Sequence, residues 1–521
     1  SASQAWRGGV KKEFFDLLKF LYGRTAEAER ISQHCEEALQ VMVQELHKGG
    51  LDSERYKQAR DKMEKYLRSV ICRTERLSRE NEKPDMLHAD VNKADLKLFK
   101  HIAKSFNDSH KSAAPAYWSS IPLPMQTMGP TYQTWKAATE IRDRDVTSIN
   151  KRQRNEYQKI DTPHPRLRAL KEIMPLEKLK LPWIAPSAPW WPLKGPWRSR
   201  FGNAGKILIF SRFRAVPQAI AALMSYDLEA NLLSSDRIEY EKLTKRKSLQ
   251  PKAGNEALLG HFYPSIFLIE NTDPIADGMG SIAHAKKSIK QQLRRALKEM
   301  NIKIRDGGRK HPTWKLIASL ERMHLGSEAI DKIKEDWENL HAKDKTSSKG
   351  DNVTGFKKML KAWREASEDN ISYLTPVEFE DLSRYALSAP GVVVGRALKR
   401  HWDGALESDE FIKCIKISWK GLRNYFSSHL FIRALRGSEK RYSEAIRKAI
   451  EEGNLESVLD EHLWITSKLS RTTGTELANE LLNALGLRTS NFYIHPLGHK
   501  NKESRFSLRC HAAMPFTTKH T

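Results

Sequence analysis

The apolar positions at the start of the chain recur at helical spacing. In "KKEFFDLLKFLYG" Phe14, Leu17, Leu18 and Leu21 share one face, and Gly23 supplies a stop. From Thr25 to about Leu77 the chain is rich in Glu, Lys, Arg, Leu and Met and is broken near Gly49 and Gly50, which predicts two further helices. Between about Ser112 and Gly205 prolines from Pro115 to Pro196 interrupt every long helix. The aromatic residues Tyr117, Trp118, Trp183, Trp190, Trp191 and Trp197 in that stretch need a surface to pack on, so it reads as a structured connector.

A different pattern follows in "GKILIFSRFRAVPQAIAALMSY". The continuous run Ile207, Leu208, Ile209 and Phe210 predicts a short buried strand, of parallel-sheet pattern because it does not alternate. Pro217 then falls where a first helical turn tolerates it, and Val216, Ile220, Leu223 and Met224 form an apolar helical face. Strand, polar turn and helix make half of a doubly wound α/β unit. From about Leu232 to Leu487 helix-forming composition returns, with turns at "GHFYPS", "RDGGRKHP", "KTSSKGDN" and "SAPG". Near the end, "NFYIHPLG" and "SRFSLRCHAAMPF" have strand-like content, and the sheet begun at Lys206 is expected to resume there. The expected fold class is α/β with large all-α portions.

Charge narrows the partners. The 521 residues carry 89 Lys and Arg against 64 Asp and Glu, a formal net charge of +25. An excess of this size favours phosphate backbones through counterion release, and an anionic membrane surface satisfies the same arithmetic. No run of about 18 apolar residues occurs and the N-terminus lacks an apolar signal core, so a cytoplasmic protein without membrane insertion is expected. Cys35, Cys72, Cys414 and Cys510 lie far apart with no CxxC pair, which argues against a zinc ribbon or a disulfide framework and for a reducing compartment.

Several catalytic signatures are absent. The chain has no GxxxxGK[ST] phosphate loop: "GNAGKILIF" places Ile207 where a hydroxyl is required. There is no DExx box after an apolar strand, no HExxH, no GxSxG, and no ligand spacing among the histidines. No catalytic and no metal-ligating residue is therefore assigned.

The basic run Lys286–Lys315 holds 11 Lys and Arg against Glu299 and Asp306. Lys286, Lys290, Arg294 and Lys298 recur every four residues along one helical face, while Ile289, Leu293, Leu297 and Met300 mark another for burial. Like charges at that spacing repel by a few tenths of a kcal/mol per pair, a cost that an anionic partner removes. This stripe is the main candidate for nucleic-acid binding.

Three segments in order resemble Swi/Snf-type superfamily-two helicases, in particular large bacterial helicase-related proteins. "KILIFSRF" (Lys206–Phe213) looks like the motif IV strand that opens their second RecA-like lobe. "YLRSVICRTERL" (Tyr66–Leu77) resembles the arginine-rich element that follows the last motif of their first lobe. "PAYWSSIPLPM" (Pro115–Met125), with "PWIAPSAPWWPLKGPW" (Pro182–Trp197), is similar to stretches between the lobes. The resemblance implies a RecA-like helicase lobe with helical insertions, divided as the helical end of a first lobe over 1–111, a Pro/Trp-rich connector over 112–200, the start of a second lobe over 201–231, a basic helical insertion over 232–487 and a return to the second lobe over 488–521. It implies that the chain starts after the first lobe's Ser-Ala-Thr motif and stops before motifs V and VI.

By the same resemblance Ser211, Arg212 and Arg214 in the motif IV turn contact a DNA backbone, Arg73 and Arg76 face nucleic acid or the nucleotide cleft, and Tyr117, Trp118, Ser119 and Ser120 brace the lobes or stack on a base. The duller reading makes these caps, solvated faces and packing residues. ATP and Mg2+ are implied as cofactors, with no binding motif in this chain, and DNA, duplex or single-stranded, as partner. Other anti-phage defence proteins are further expected partners. The expectation is part of an ATP-dependent DNA helicase or translocase; the alternative is a non-enzymatic basic DNA-binding scaffold with a degenerate helicase lobe.

Overall fold

The computed structural model describes residues 9–22, 26–48, 50, 52–70, 89–105, 115, 118, 124–131, 148–160, 164–198, 209, 211, 213–234, 240–243, 249–342, 353–402, 408–427, 429–436, 439, 441–469, 474–485, 489–496 and 504–511. It is mostly helical. The chain separates into two compact units, one formed by Ser1–Met86, Pro186–Pro192 and Pro274–Ser288, the other by Leu87–Ala185, Leu193–Asp273 and Ile289–Thr521.

The first unit is built on α1 (Gly9–Leu21), α2 (Ala26–His47) and α3 (Glu54–Val70). Phe15 and Leu18 of α1 meet Ile31 and Cys35 of α2, with Met63, Tyr66 and Leu67 of α3 packed alongside. The sequence pattern placed Phe14 on the buried face, whereas Phe15 is the more buried of the two. The break expected at Gly49 and Gly50 lies between α2 and α3, and Ser53 caps α3 by accepting the Tyr56 N–H at 3.1 Å. The described part of α3 ends at Val70, so Arg73 and Arg76 lie outside the described residues.

In the second unit, α4 (Ala215–Leu233) was expected to be amphipathic. It is instead buried almost all round, including Val216, Ala219, Leu223, Met224, Tyr226 and Leu228, as a helix apolar on every side must be. Its core partners come from far along the chain: Ile149, Tyr157 and Leu167 on one hand, and Ile494, Phe506 and Leu508 on the other. The last three belong to an antiparallel hairpin of β3 (Thr489–Ile494) and β4 (Phe506–His511), in register Phe492↔Leu508 and Ile494↔Phe506. Alternation along β3 exposes Tyr493 and buries Ile494.

The hairpin is where the two C-terminal strands were expected, but the sheet is smaller. Among the described residues the strands form two two-stranded sheets: β3 with β4, and β1 (Lys303–Ile304) parallel to β2 (Tyr373–Leu374). Of the run Ile207–Phe210 only Ile209 is described, and it sits in no strand and is exposed, contrary to the buried strand its neighbours' apolarity suggested. A four-residue apolar run lacks the information to supply its own pairing partner, and among the described residues none pairs with Ile209.

Trp183, Trp190, Trp191 and Trp197 of the connector are buried, as expected of a packed stretch. Trp183 donates its indole N–H to the Gly453 carbonyl at 2.8 Å, and Trp197 donates to the Trp183 carbonyl at 3.1 Å with the two rings stacked 4.8 Å apart. A Cβ on Gly453 would stand 2.5 Å from the Trp197 ring, so only glycine admits this approach. Trp118 is likewise a packing residue: its ring is held between Phe99 and His164, and its carbonyl accepts from His164 Nε2 at 2.9 Å. Tyr117, Ser119 and Ser120 lie outside the described residues.

Candidate nucleic-acid interface

Helix α5 (Ile282–Glu299) carries the predicted basic stripe. Its apolar face is buried as expected, with Ile289, Leu293 and Leu297 almost inaccessible. Lys286, Arg294 and Lys298 are exposed and Lys290 is half-buried. The stripe is nevertheless not a uniform row facing solvent. Lys290 pairs with Glu380 at 2.6 Å, and the Arg294 guanidinium lies 5.0 Å over the Phe379 ring, so both turn toward α6 (Pro376–Ser388). Four-residue spacing advances about 40° per step around a helix of 3.6 residues per turn, and over the stripe this rotation carries its middle onto a neighbour. Among the described residues, Arg295 and Lys298 are the exposed cations of this part of α5 that neither pair with an acid nor stack on a ring.

That surface continues past the helix. Asn301 adopts φ 59°, the left-handed conformation of a helix stop, and Ile302 N–H returns to the Leu297 carbonyl at 2.8 Å. The buried Ile302 turns the chain into β1, where Lys303 N–H donates to Ser372 and Arg305 N–H to Leu374 at 3.1 and 2.9 Å. Residues 303–310 are then exposed without interruption.

The far end of this loop is fixed by a buried carboxylate. Glu378 Oε1 accepts the backbone N–H groups of Lys310 and His311 at 2.9 and 2.7 Å. Its other oxygen accepts Thr375 N–H at 2.9 Å, while Thr375 caps α6 by accepting Glu378 N–H, a reciprocal box. Burial alone would raise the Glu378 carboxyl, but the N–H donors from Thr375, His311 and Lys310 outweigh it and hold the group below the usual carboxylate range. Above the loop, Arg305 and Lys310 both lie against Tyr373 of β2, 5.2 and 4.6 Å from its ring centre. Arg309 pairs with Asp381.

Among the described residues no ion pair engages Arg295, Lys298, Lys303, Arg305 or Lys310. All five are exposed, Arg305 and Lys310 while also resting on Tyr373, whose hydroxyl accepts from the Lys310 ammonium, and Glu299 and Asp306 are the acids of the same stretch, a surface suited to successive phosphates. Arg295, Lys303, Arg305, Lys310 and the anchor Glu378 were not singled out by periodicity, because the loop has none. The Thr-x-x-Glu pattern at Thr375–Glu378 was the readable signal for the anchor.

The remaining candidates are placed differently. Ser211 is exposed and accepts the Phe213 N–H at 3.0 Å, a local turn ahead of α4, and Arg214 is exposed at the same turn. Arg212 lies outside the described residues. Elsewhere in the second unit a cleft of about 330 Å3 is lined by Glu270, Asp273, Gln292, Arg396, Lys399 and Arg400. Its charges are joined internally: Arg396 donates to both oxygens of Glu456 at 2.9 and 2.6 Å, and Arg400 to Glu456 and Asp273 at 2.8 and 2.9 Å.

Compared with protein-family models, with curated proteins and with solved structures, the chain finds no match in any of the three. Among the described residues no helix is long and apolar enough to cross a membrane, and no group of His, Cys, Asp and Glu could hold a metal ion.

Proposed function

We propose that the chain binds nucleic acid through its phosphate backbone, as the DNA-gripping portion of a Swi/Snf-like helicase or translocase. The observation that carries the binding is the exposed basic surface running from Arg295 and Lys298 into the loop that ends at Lys310, whose cations have no acidic partner among the described residues. The helicase assignment, with its RecA-like lobe and a role in anti-phage defence, rests on the order of the three resembling segments. ATP and Mg2+ enter by that resemblance alone: the sequence has no phosphate loop and the described residues offer no carboxylate cluster to hold the ion, so no chemical step is assigned to them here. A mostly helical chain with only two-stranded sheets among its described residues favours a second reading, a non-enzymatic DNA-binding scaffold.

Both readings require binding that weakens steeply with salt. Five phosphate contacts give a slope of about −4 to −5 in log K against log salt on duplex DNA. Fluorescence anisotropy with a labelled duplex at several salt concentrations measures it, and a flat response removes the proposal. DNA-stimulated ATP hydrolysis by these 521 residues separates the readings: the scaffold reading expects none.

A further inference from the structure

The loop Arg305–His311 is exposed yet held at both ends, which costs conformational freedom without burying apolar area. Its first residue is tied by the Arg305 N–H to Leu374, and its last two by the Glu378 carboxylate, whose residue is 2% exposed. Between the ties sit Gly307 and Gly308. Gly307 has φ 155°, which side chains rarely adopt, and a Cβ on Gly308 would meet nothing within 4 Å. The N–H groups of Gly307 and Gly308 make no hydrogen bond within the described residues. Arg305 and Lys310 are drawn to the same ring, Tyr373, so two cations flank the glycine turn from opposite ends.

We propose that this glycine turn is a pre-formed phosphodiester seat: Arg305 and Lys310 supply charge, and the Gly307 and Gly308 N–H groups donate to phosphate oxygens. The idea rests on the nucleic-acid reading above and assigns it a specific contact. A turn already fixed by Glu378 loses little freedom on binding, which favours affinity. Successive backbone N–H groups in a glycine turn form an anion-holding concavity. A polyanion fits better than a lone phosphate because the basic surface continues through Lys303 to Lys298 and Arg295, so consecutive phosphates find consecutive cations. Tyr373 has cations over its ring and is not a free platform for a base, so the seat recognises backbone without sequence preference. Glu378 acts as a positioning residue.

Three variants of the whole chain test the seat on labelled duplex DNA. Arg305→Gln with Lys310→Gln should make the salt slope shallower by about 1.8, or 0.9 for each lost contact. Gly308→Ala changes no charge and meets no atom of the protein, yet its methyl group stands at the seat; affinity should fall several-fold with an unchanged melting temperature. Glu378→Ala should weaken binding and flatten the slope, and Glu378→Gln, which keeps an acceptor for Lys310 and His311, should recover part of both. Wild-type binding with unaltered slope and affinity in the Arg305/Lys310 and Gly308 variants overturns the seat while leaving the nucleic-acid reading in place. Wild-type protein that ignores DNA overturns that reading and the seat with it, as does capture by phosphatidylserine vesicles in place of DNA.

Discussion

Glu378 accepts the backbone N–H of His311 at 2.7 Å across 67 residues of sequence. One carboxylate thereby caps a helix and fixes a loop.

Replacing Glu378 with Ala leaves the N–H groups of Thr375, Lys310 and His311 without their acceptor. Loss of a capping interaction costs about 1 kcal/mol, and the buried Thr375 N–H adds to it, so a total of about 2 to 3 kcal/mol is expected. Urea denaturation of the variant checks this; a change under about 0.5 kcal/mol would mean that water replaces the carboxylate freely.

Four basic residues of α5, two of which stack on or pair with a neighbour, divide into two pairs. Changing Arg295 and Lys298 to Gln should make the salt slope of DNA binding shallower by about 1.8, with stability shifted by less than about 0.5 kcal/mol per site. Changing Lys290 and Arg294 to Gln should leave the slope nearly unaltered, because those side chains already face Glu380 and Phe379. Equal slope changes from the two pairs would contradict the division.

Within the second unit, Glu456 is 3% exposed and accepts from Arg396 and Arg400. Glu456→Ala strands two guanidinium groups, one fully buried, and should cost about 3 to 5 kcal/mol. Replacing Arg396 and Glu456 together with Met and Leu removes the buried charge of that pair and should be less damaging than the single change. Chemical denaturation of the single and double variants decides it.

Acid should weaken the fold from an early point. Burial holds His164 down to about 4, and burial together with Arg447 holds His261 at about 3, against an ordinary value of 6.5. Below pH 6.5 the unfolded chain therefore binds protons that the folded chain refuses, and stability falls by up to about 1.4 kcal/mol per pH unit for each histidine down to about pH 4. Asp227 and Glu321, raised by burial, oppose this. Urea midpoints between pH 7.5 and 5 should decline in the wild type and less steeply in His164→Gln, whose site no longer titrates. Parallel profiles would remove His164 from the explanation.

What could be read from the sequence followed from periodicity. The core face of α5 through Ile289, Leu293 and Leu297 was legible because burial repeats every turn, and the C-terminal hairpin because Ile494, Phe506 and Leu508 alternate with polar neighbours. Which basic residues remain available was not legible, since Lys290 and Arg294 are claimed by residues some 85 to 90 positions away, and helical spacing contains no term for a neighbour. The run Ile207–Phe210 misled at Ile209 because apolar content alone does not name a partner. Arg305–His311 was read only as a turn within a basic run, with no residue of it singled out, because it has no repeat and its order comes from Glu378.

Trp183 meets Gly453, and Tyr425 donates its hydroxyl to the Pro182 carbonyl, so the proline-rich stretch is held by residues made more than 240 positions later. During synthesis at roughly 5 to 20 residues per second, Trp183 and Trp197 wait on the order of tens of seconds for the turn at Gly453 to emerge. For that interval two large indoles lack their final surroundings on a nascent chain. Fragments that end before Gly453 should therefore be prone to aggregate.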